Sequence, residues 1–246
     1  MCVVVIGWRA SADYPLVIVG NRDELHARPA ASLARWDDRS GLIGGRDLIS
    51  GGTWLGLSAE GAFGVVTNRR SDHPMDPQAR SRGLLLADWL SEPGAGRMDA
   101  VGEYNPVNLA LVTPAGAEIV SNWPQVRRRT VEAGVFGLSN GDIDDRSSRV
   151  EALKPALKGW LARPGEVEPL LEALRDEAPT QAPGVDPLFG LAPVFMHHPI
   201  YGTRCSTVIT VDRTGAGVAR ERSYDETGRA IGDAVVEFSW AGSPTD

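Results

Sequence analysis

The chain has two cysteines in 246 residues, Cys2 and Cys205, and neither has a second cysteine or a histidine at metal-ligand spacing. A disulfide scaffold and a cysteine-based zinc site are therefore excluded as organising principles. No apolar run approaches the ~18–20 residues of a membrane-spanning helix. The N-terminus lacks a basic segment leading into a long apolar one, since its first apolar run stops at Trp8-Arg9. The expectation is a soluble, cytoplasmic protein without a membrane span. Positive charge is also short: 25 Lys and Arg stand against 32 Asp and Glu, giving a net charge of −7. That excludes a nucleic-acid partner, because phosphate binding needs a concentrated basic surface. The one basic run, Arg127-Arg128-Arg129, reads as a solvated strand or turn. Repeats, linkers and long low-complexity stretches are absent, so one domain over residues 1–246 is expected.

Hydrophobic content of 42% and charged content of 23% are those of an ordinary globular protein with a sizeable core. Short β-branched runs at Val3 to Trp8 and Leu16 to Gly20 read as a hairpin, and the second run feeds into Asn21-Arg22-Asp23-Glu24. A Pro- and Arg-containing loop follows. A second hairpin turns at Glu60-Gly61 and delivers Asn68 to the exit of a buried strand. Apolar spacing predicts a helix over 82–91. Strands are expected at Asn108 to Thr113, Glu118 to Ser121 and Val135 to Asn140. Ser148-x-x-Glu151 has capping-box form, and Val150, Leu153, Leu157, Trp160 and Leu161 make one apolar stripe that Pro155 interrupts. A helix over Val167 to Arg175, a Pro-rich loop from Pro179 to Pro199 and strands at Cys205 to Val211, Gly217 to Arg222 and Val235 to Trp240 complete the reading. Strands first, helices in the middle and strands last predict an α+β fold of two stacked, largely antiparallel sheets between helical layers, the Cys2 strand central to one sheet.

Cys2 carries the chemical interest. Removal of Met1 would leave a thiol and a free α-amine on one residue, a nucleophile with its own base, since an α-amine of pKa ~7.7–8.0 can take the proton of a thiol of pKa ~8.5. Read alone, Cys2 equally fits a small buried residue at a strand start. Asn68 and Asn140, read alone, equally fit strand-end caps.

Seven segments in order resemble one family: Met1-Cys2, Asn21-Arg22-Asp23-Glu24, Gly51-Gly52-Thr53-Trp54-Leu55-Gly56, Thr67-Asn68, Tyr104-Asn105-Pro106-Val107-Asn108-Leu109, Gly137-Leu138-Ser139-Asn140 and Tyr201-Gly202-Thr203-Arg204. The chain thereby resembles the NRDE family, the transport and Golgi organisation proteins and their bacterial relatives, from Cys2 to about Glu226. That family is similar to the N-terminal-nucleophile (Ntn) hydrolases, whose fold is a four-layer α-β-β-α sandwich and whose choloylglycine hydrolases and penicillin V acylases cleave amides.

The resemblance implies Cys2 as nucleophile, Asp23 and Arg22 in the catalytic set, and Asn68 and Asn140 as oxyanion donors. Asn21, Glu24, Arg149 and Arg204 are implied as binding residues, with no metal. Those acylases place an arginine three residues before the aspartate, whereas Arg22 and Asp23 are adjacent here. In an extended strand the two must point to opposite sides. Two functions follow as expectations. The first is an Ntn-type cysteine amidohydrolase or acylase cleaving a linear amide, a carbon–nitrogen bond other than a peptide bond, with a small-molecule substrate and no cofactor. The alternative is non-catalytic binding on the same fold, because members of the family have been implicated in haem trafficking, with haem as cargo, and in lipid or acyl-coenzyme A handling. His197-His198 and Gly51-Gly52 read as a surface loop and a turn rather than as metal or phosphate sites.

Overall fold

The computed structural model describes residues 2–39, 41–72, 74–93, 96–180 and 192–240. Its chain order begins with strands β1 (Val3–Trp8), β2 (Leu16–Leu25), β3 (Ala30–Arg35), β4 (Ile43–Asp47), β5 (Leu55–Leu57) and β6 (Phe63–Asn68), followed by helix α1 (Arg82–Ser91) and a 3-10 turn over Gly96–Glu103. Strands β7 (Val107–Thr113), β8 (Gly116–Ser121), β9 (Arg127–Val131) and β10 (Gly134–Leu138) then lead to helices α2 (Ser148–Ala162) and α3 (Glu168–Ala173). The chain closes with β11 (His197–His198), β12 (Tyr201–Val211), β13 (Ala216–Tyr224) and β14 (Ala230–Ser239).

Two antiparallel sheets result. One runs β10-β1-β2-β12-β13-β14, with β11 beside β12; the other is a meander from β3 to β9 in sequence order. Alternation along each strand decides what lies between the layers. Val3, Val5, Val17, Val19 and Val208 leave the first sheet on one side and pack under Leu153, Leu157 and Trp160 of α2 and Leu170 and Leu171 of α3. Val4, Ile6, Leu16, Ile18, Ile209 and Val211 leave on the other and meet Leu33, Leu55, Leu57 and Val65 of the meander.

Helix α1 covers the far face of the meander, where Gly44, Gly56 and Gly64 stand in register across three strands. A Cβ on Gly64 would come 2.4 Å from Leu86, and one on Gly56 2.8 Å from Leu90. The glycine row lets α1 sink onto the sheet, and each fully buried Leu side chain there contributes about 1.5–3 kcal/mol. The layers therefore run α2/α3, sheet, sheet, α1, in an α+β fold of the expected kind.

Several local expectations change. β1 lies one strand in from the edge, not at the centre, because β10 adds outside it while β12, β13 and β14 extend the other side. The Pro- and Arg-containing loop contains β3, which is exposed except at Leu33, and β4, whose buried residues are Ile43 and two glycines, so neither carries an apolar run. The Arg127 run is the edge strand β9, with Arg127 and Arg129 paired to Asp144 and Arg128 to Glu118. Ser147, not Ser148, precedes α2, and no side-chain cap forms. Ser148 is buried and its hydroxyl accepts from Thr180 instead (2.8 Å). α2 runs on through Pro155. His197 and His198 are exposed in the two-residue β11. Much of the Pro-rich loop, residues 181–191, lies outside the described residues.

Candidate active site

β2 runs straight through the Asn21-Arg22-Asp23-Glu24 segment, so its period of two sorts these side chains between the faces of the first sheet. Asn21 and Asp23 turn toward the helical layer. The Asn21 amide donates to the carbonyls of Leu174 (2.8 Å) and Val194 (3.0 Å), and its carbonyl oxygen accepts from Ser206 (2.6 Å). Asn21 ties β2 to the end of α3, and it does not line the cleft between the sheets.

The Asp23 carboxylate accepts from Arg149 Nη2 (2.7 Å) and from the Thr203 hydroxyl (2.7 Å). Thr203 in turn accepts from the Met196 N–H, and Arg149 also donates to the Val194 carbonyl. Both members of the pair are buried, at 3% and 4% exposure. Arg149 thus stands behind Asp23, held there by the first turn of α2. Burial pushes the Asp23 carboxyl above the ordinary range, against the pull of the Arg149 guanidinium and the Thr203 hydrogen bond.

Arg22 and Glu24 turn the other way, into a cleft of about 470 Å³ between the sheets. Cys2, Asp23, Asn68, Asn140 and Arg204 line the same cleft, together with Arg82, Cys205 and Glu221. Cys2 precedes β1, whose Val3 pairs with Asn21; Arg22, next along β2, pairs on its other side with Cys205. Cys2, Arg22 and Cys205 therefore form one row across three strands. The thiol of Cys2 is half-buried. Burial raises its pKa, and the nearby Asp23 carboxylate adds to this, while the Asp23 backbone N–H and the Arg22 guanidinium act in the opposite direction. Cys205 is held well above its ordinary pKa by burial and by the nearby Glu221 carboxyl.

The two asparagines sit where the sheets meet. Asn140 is buried in the loop after β10 and donates through Nδ2 to the Asn68 carbonyl (2.6 Å). Its own carbonyl accepts from the Arg70 N–H, and the adjacent Ser139 hydroxyl donates to the Cys2 carbonyl (3.0 Å). Thr67 and Asn108 pin the same loop through the Ser139 and Gly141 carbonyls. The Asn68 side chain is exposed at the end of β6, and among the described residues no hydrogen bond holds its carboxamide. Arg204 spends its guanidinium on the carbonyls of Leu25 and His26, which close the exit of β2.

Two residues of the cleft lining, Arg82 and Glu221, and one behind Asp23, Thr203, carry no signal of their own in the motifs. Thr203 lay inside a quoted motif but was given no task. Arg82 opens α1 and was read only as a helix start. Glu221 occupies the inward position after Gly217 and Ala219 on β13, an acid in an otherwise small, buried series, which was a legible signal. Burial raises its carboxyl pKa, and it accepts from the Leu33 N–H (2.8 Å) of the opposite sheet. Among the described residues no cluster of three or more His, Cys, Asp or Glu is arranged for a metal ion, and no helix is long and apolar enough to cross a membrane.

A family model described as Transport and Golgi organisation 2 matches residues 1–226. The Bos taurus Transport and Golgi organization protein 2 homolog is 30% identical over 242 residues, covering 85% of this chain and 87% of its own. The Homo sapiens homolog is 28% identical, again covering 85% and 87%. Among solved structures, a Caenorhabditis elegans N-acylethanolamine-hydrolyzing acid amidase ortholog superposes with a TM-score of 0.52 at 16% identity, over 84% of this chain and 92% of its own. The C2A mutant of the conjugated bile acid hydrolase from Clostridium perfringens gives a TM-score of 0.52 at 9% identity, over 98% and 97%. These two likenesses are of fold.

Proposed function

The chain belongs to the Transport and Golgi organisation 2 family, and on that premise we propose that it is a cysteine amidohydrolase of the N-terminal-nucleophile type, with Cys2 as nucleophile. The observation that carries the reading is the convergence of Cys2, Asn68 and Asn140 on one cleft between the sheets. Among the described residues no histidine lines the cleft, so in this reading the base is the α-amine of Cys2 once Met1 is removed. The free α-amine takes the thiol proton, and the thiolate attacks the amide carbonyl. The oxyanion of the tetrahedral intermediate is received by the Asn68 carboxamide and the Asn140 N–H not engaged with Asn68. The C–N bond then breaks, the amine leaves with a proton from the α-ammonium, and a thioester remains on Cys2. Water, deprotonated by the same amine, hydrolyses it to the acid and the free thiol. Asp23, anchored by Arg149 and Thr203, is the positioning residue for the α-ammonium.

The test begins with the mass of the native protein, which is expected to lack Met1. Iodoacetamide is then expected to label Cys2 far faster than Cys205, since thiolate fraction and access govern the rate. Cys2→Ala is expected to abolish hydrolysis of any amide the wild type cleaves. Retained Met1 with an unreactive Cys2 and no turnover over a panel of linear amides would replace the hydrolase with the binding reading, in which the cleft holds an acyl chain or haem without chemistry. Burial of the Cys2 thiol, which disfavours its ionisation, is what favours that second reading.

A further inference from the structure

Two features of the cleft play no part in the acyl-transfer steps. The first is Arg22. Its residue exposure is 8%, yet among the described residues its guanidinium makes no hydrogen bond. Its nearest carboxylates are Glu24 at 3.9 Å and Asp47 at 3.7 Å, both beyond hydrogen-bond reach. Those acids are committed elsewhere. Asp47 accepts from Arg28 and from the N–H groups of Ile49 and Ser50, and Glu24 accepts from the Leu25 N–H. A nearly buried guanidinium with its donors turned into a cavity is matched to a charge that arrives from outside.

The second is the N-terminus of α1. Ser81, Arg82 and Gly83 all line the cleft. The Ser81 side chain makes no cap, and the first turn carries no acidic residue. The positive end of a ten-residue helix therefore opens into the cavity without the compensation such ends usually have. The Arg82 guanidinium donates to the Pro106 carbonyl (3.0 Å) and has no carboxylate within salt-bridge distance among the described residues. Gly52 brings the opposite loop against this turn: a Cβ there would lie 2.2 Å from the Gly83 carbonyl carbon. The helix end is thus fixed in place as one wall of the cleft.

Resting on the hydrolase reading and naming its substrate class, we propose that the cleft binds an oxyanion group of the amide substrate, a carboxylate or phosphate, between Arg22 and the α1 N-terminus at Arg82 and Gly83. Two guanidiniums and free helix N–H groups supply the charge and the donors that such a group requires. The substrate is an anionic amide, with its charged group a short distance from the scissile carbonyl, because Arg22 is the row neighbour of Cys2.

The test is a calorimetric titration of the full-length protein at constant ionic strength with three probes: N-acetylglycine, inorganic phosphate and the neutral N-acetylethanolamine. At least one anion is expected to bind ~10-fold or more tightly than the neutral amide. Arg22→Gln and Arg82→Gln are each expected to weaken that binding ~10-fold or more, with Arg22→Lys intermediate and the thermal midpoint of each variant recorded as a check on folding. Preference for N-acetylglycine assigns a carboxylate, and preference for phosphate a phosphoryl group. Equal affinity for the neutral and anionic probes, or anion binding unchanged in both folded arginine variants, overturns the inference. Binding is measured apart from turnover, so Cys2→Ala, expected to keep its anion affinity, separates the two readings. Anion binding without any hydrolysis refutes the hydrolase alone, and hydrolysis without anion preference refutes this inference alone.

Discussion

Asn21 and Asp23 on one face of β2 are held by close hydrogen bonds, while on the other face, one residue away, Arg22 and Glu24 meet charged partners only at 3.7–4.0 Å. The helix-facing pair meets Arg149, Thr203, Ser206 and two backbone carbonyls at 2.6–3.0 Å. The cleft-facing pair is 3.9 Å apart. Four consecutive polar residues thus serve two opposed ends, and only the pleat separates them. Asn21 and Asp23, under the helices where water cannot reach, are satisfied by protein partners, while Nε and Nη1 of Arg149 stay buried with no partner among the described residues. Polar groups in the cleft are left open because something else is to reach them.

The comparison is broken most directly by removing one member of the buried pair. Arg149→Met leaves the Asp23 carboxylate in a buried pocket where the Thr203 hydroxyl still donates to it, and loss of one partner of a buried ion pair is expected to destabilise by about 3–5 kcal/mol in urea unfolding. Arg22→Gln, its counterpart across the strand, is expected to change stability by under ~1 kcal/mol, since its carboxylates lie beyond hydrogen-bond distance and its donors open into the cleft. Equal losses for the two variants would mean that the faces are not functionally distinct.

The next contrast lies between the asparagines. Asn68→Ala removes a side chain that bonds nothing among the described residues, so turnover is expected to fall ~10²–10³-fold, the usual effect of one oxyanion donor, with the thermal midpoint unmoved. Asn140→Ala is expected to lose turnover similarly and also ~1 kcal/mol of stability, because its amide joins the β10 loop to the Asn68 carbonyl. A stable, fully active Asn68→Ala enzyme would remove Asn68 from the reaction.

The sequence made one face of this arrangement far more legible than the other. Apolar runs mark β1, β6, β7 and β12 because those strands are buried on both sides, whereas β3 and β9 expose most of their residues and carry no such mark. Adjacent Arg22 and Asp23 were bound to diverge, but which of them would face Cys2 depended on packing. The answer came from Arg149, 126 residues away, reaching Asp23 from α2. Arg82 is hidden for a similar reason: a helix start is ordinary in sequence and becomes unusual only when it opens into the cleft that Cys2 lines, whereas Glu221 is marked by its inward place in β13.

Glu221 gives the smallest expected effect and tests whether the cleft face has a structural member of its own. Its carboxyl spans the sheets, accepting from Leu33 on β3 and from Thr207 (3.3 Å) on its own sheet. Burial raises its pKa above the ordinary 4.5. The folded protein therefore holds this proton more tightly than the unfolded chain does. The resulting stabilisation is complete below about pH 4.5, the unfolded value, and is lost as pH rises through the higher folded value. Glu221→Gln keeps the acceptor for Leu33 and cannot titrate. Subtracting its urea-unfolding profile from that of the wild type should leave a wild-type advantage that shrinks from pH 4 toward neutrality and then stays level. A difference that grows with pH would mean that Glu221 is ionised in the folded state, an acid of the cleft as open as Glu24 rather than a buried strut between the sheets.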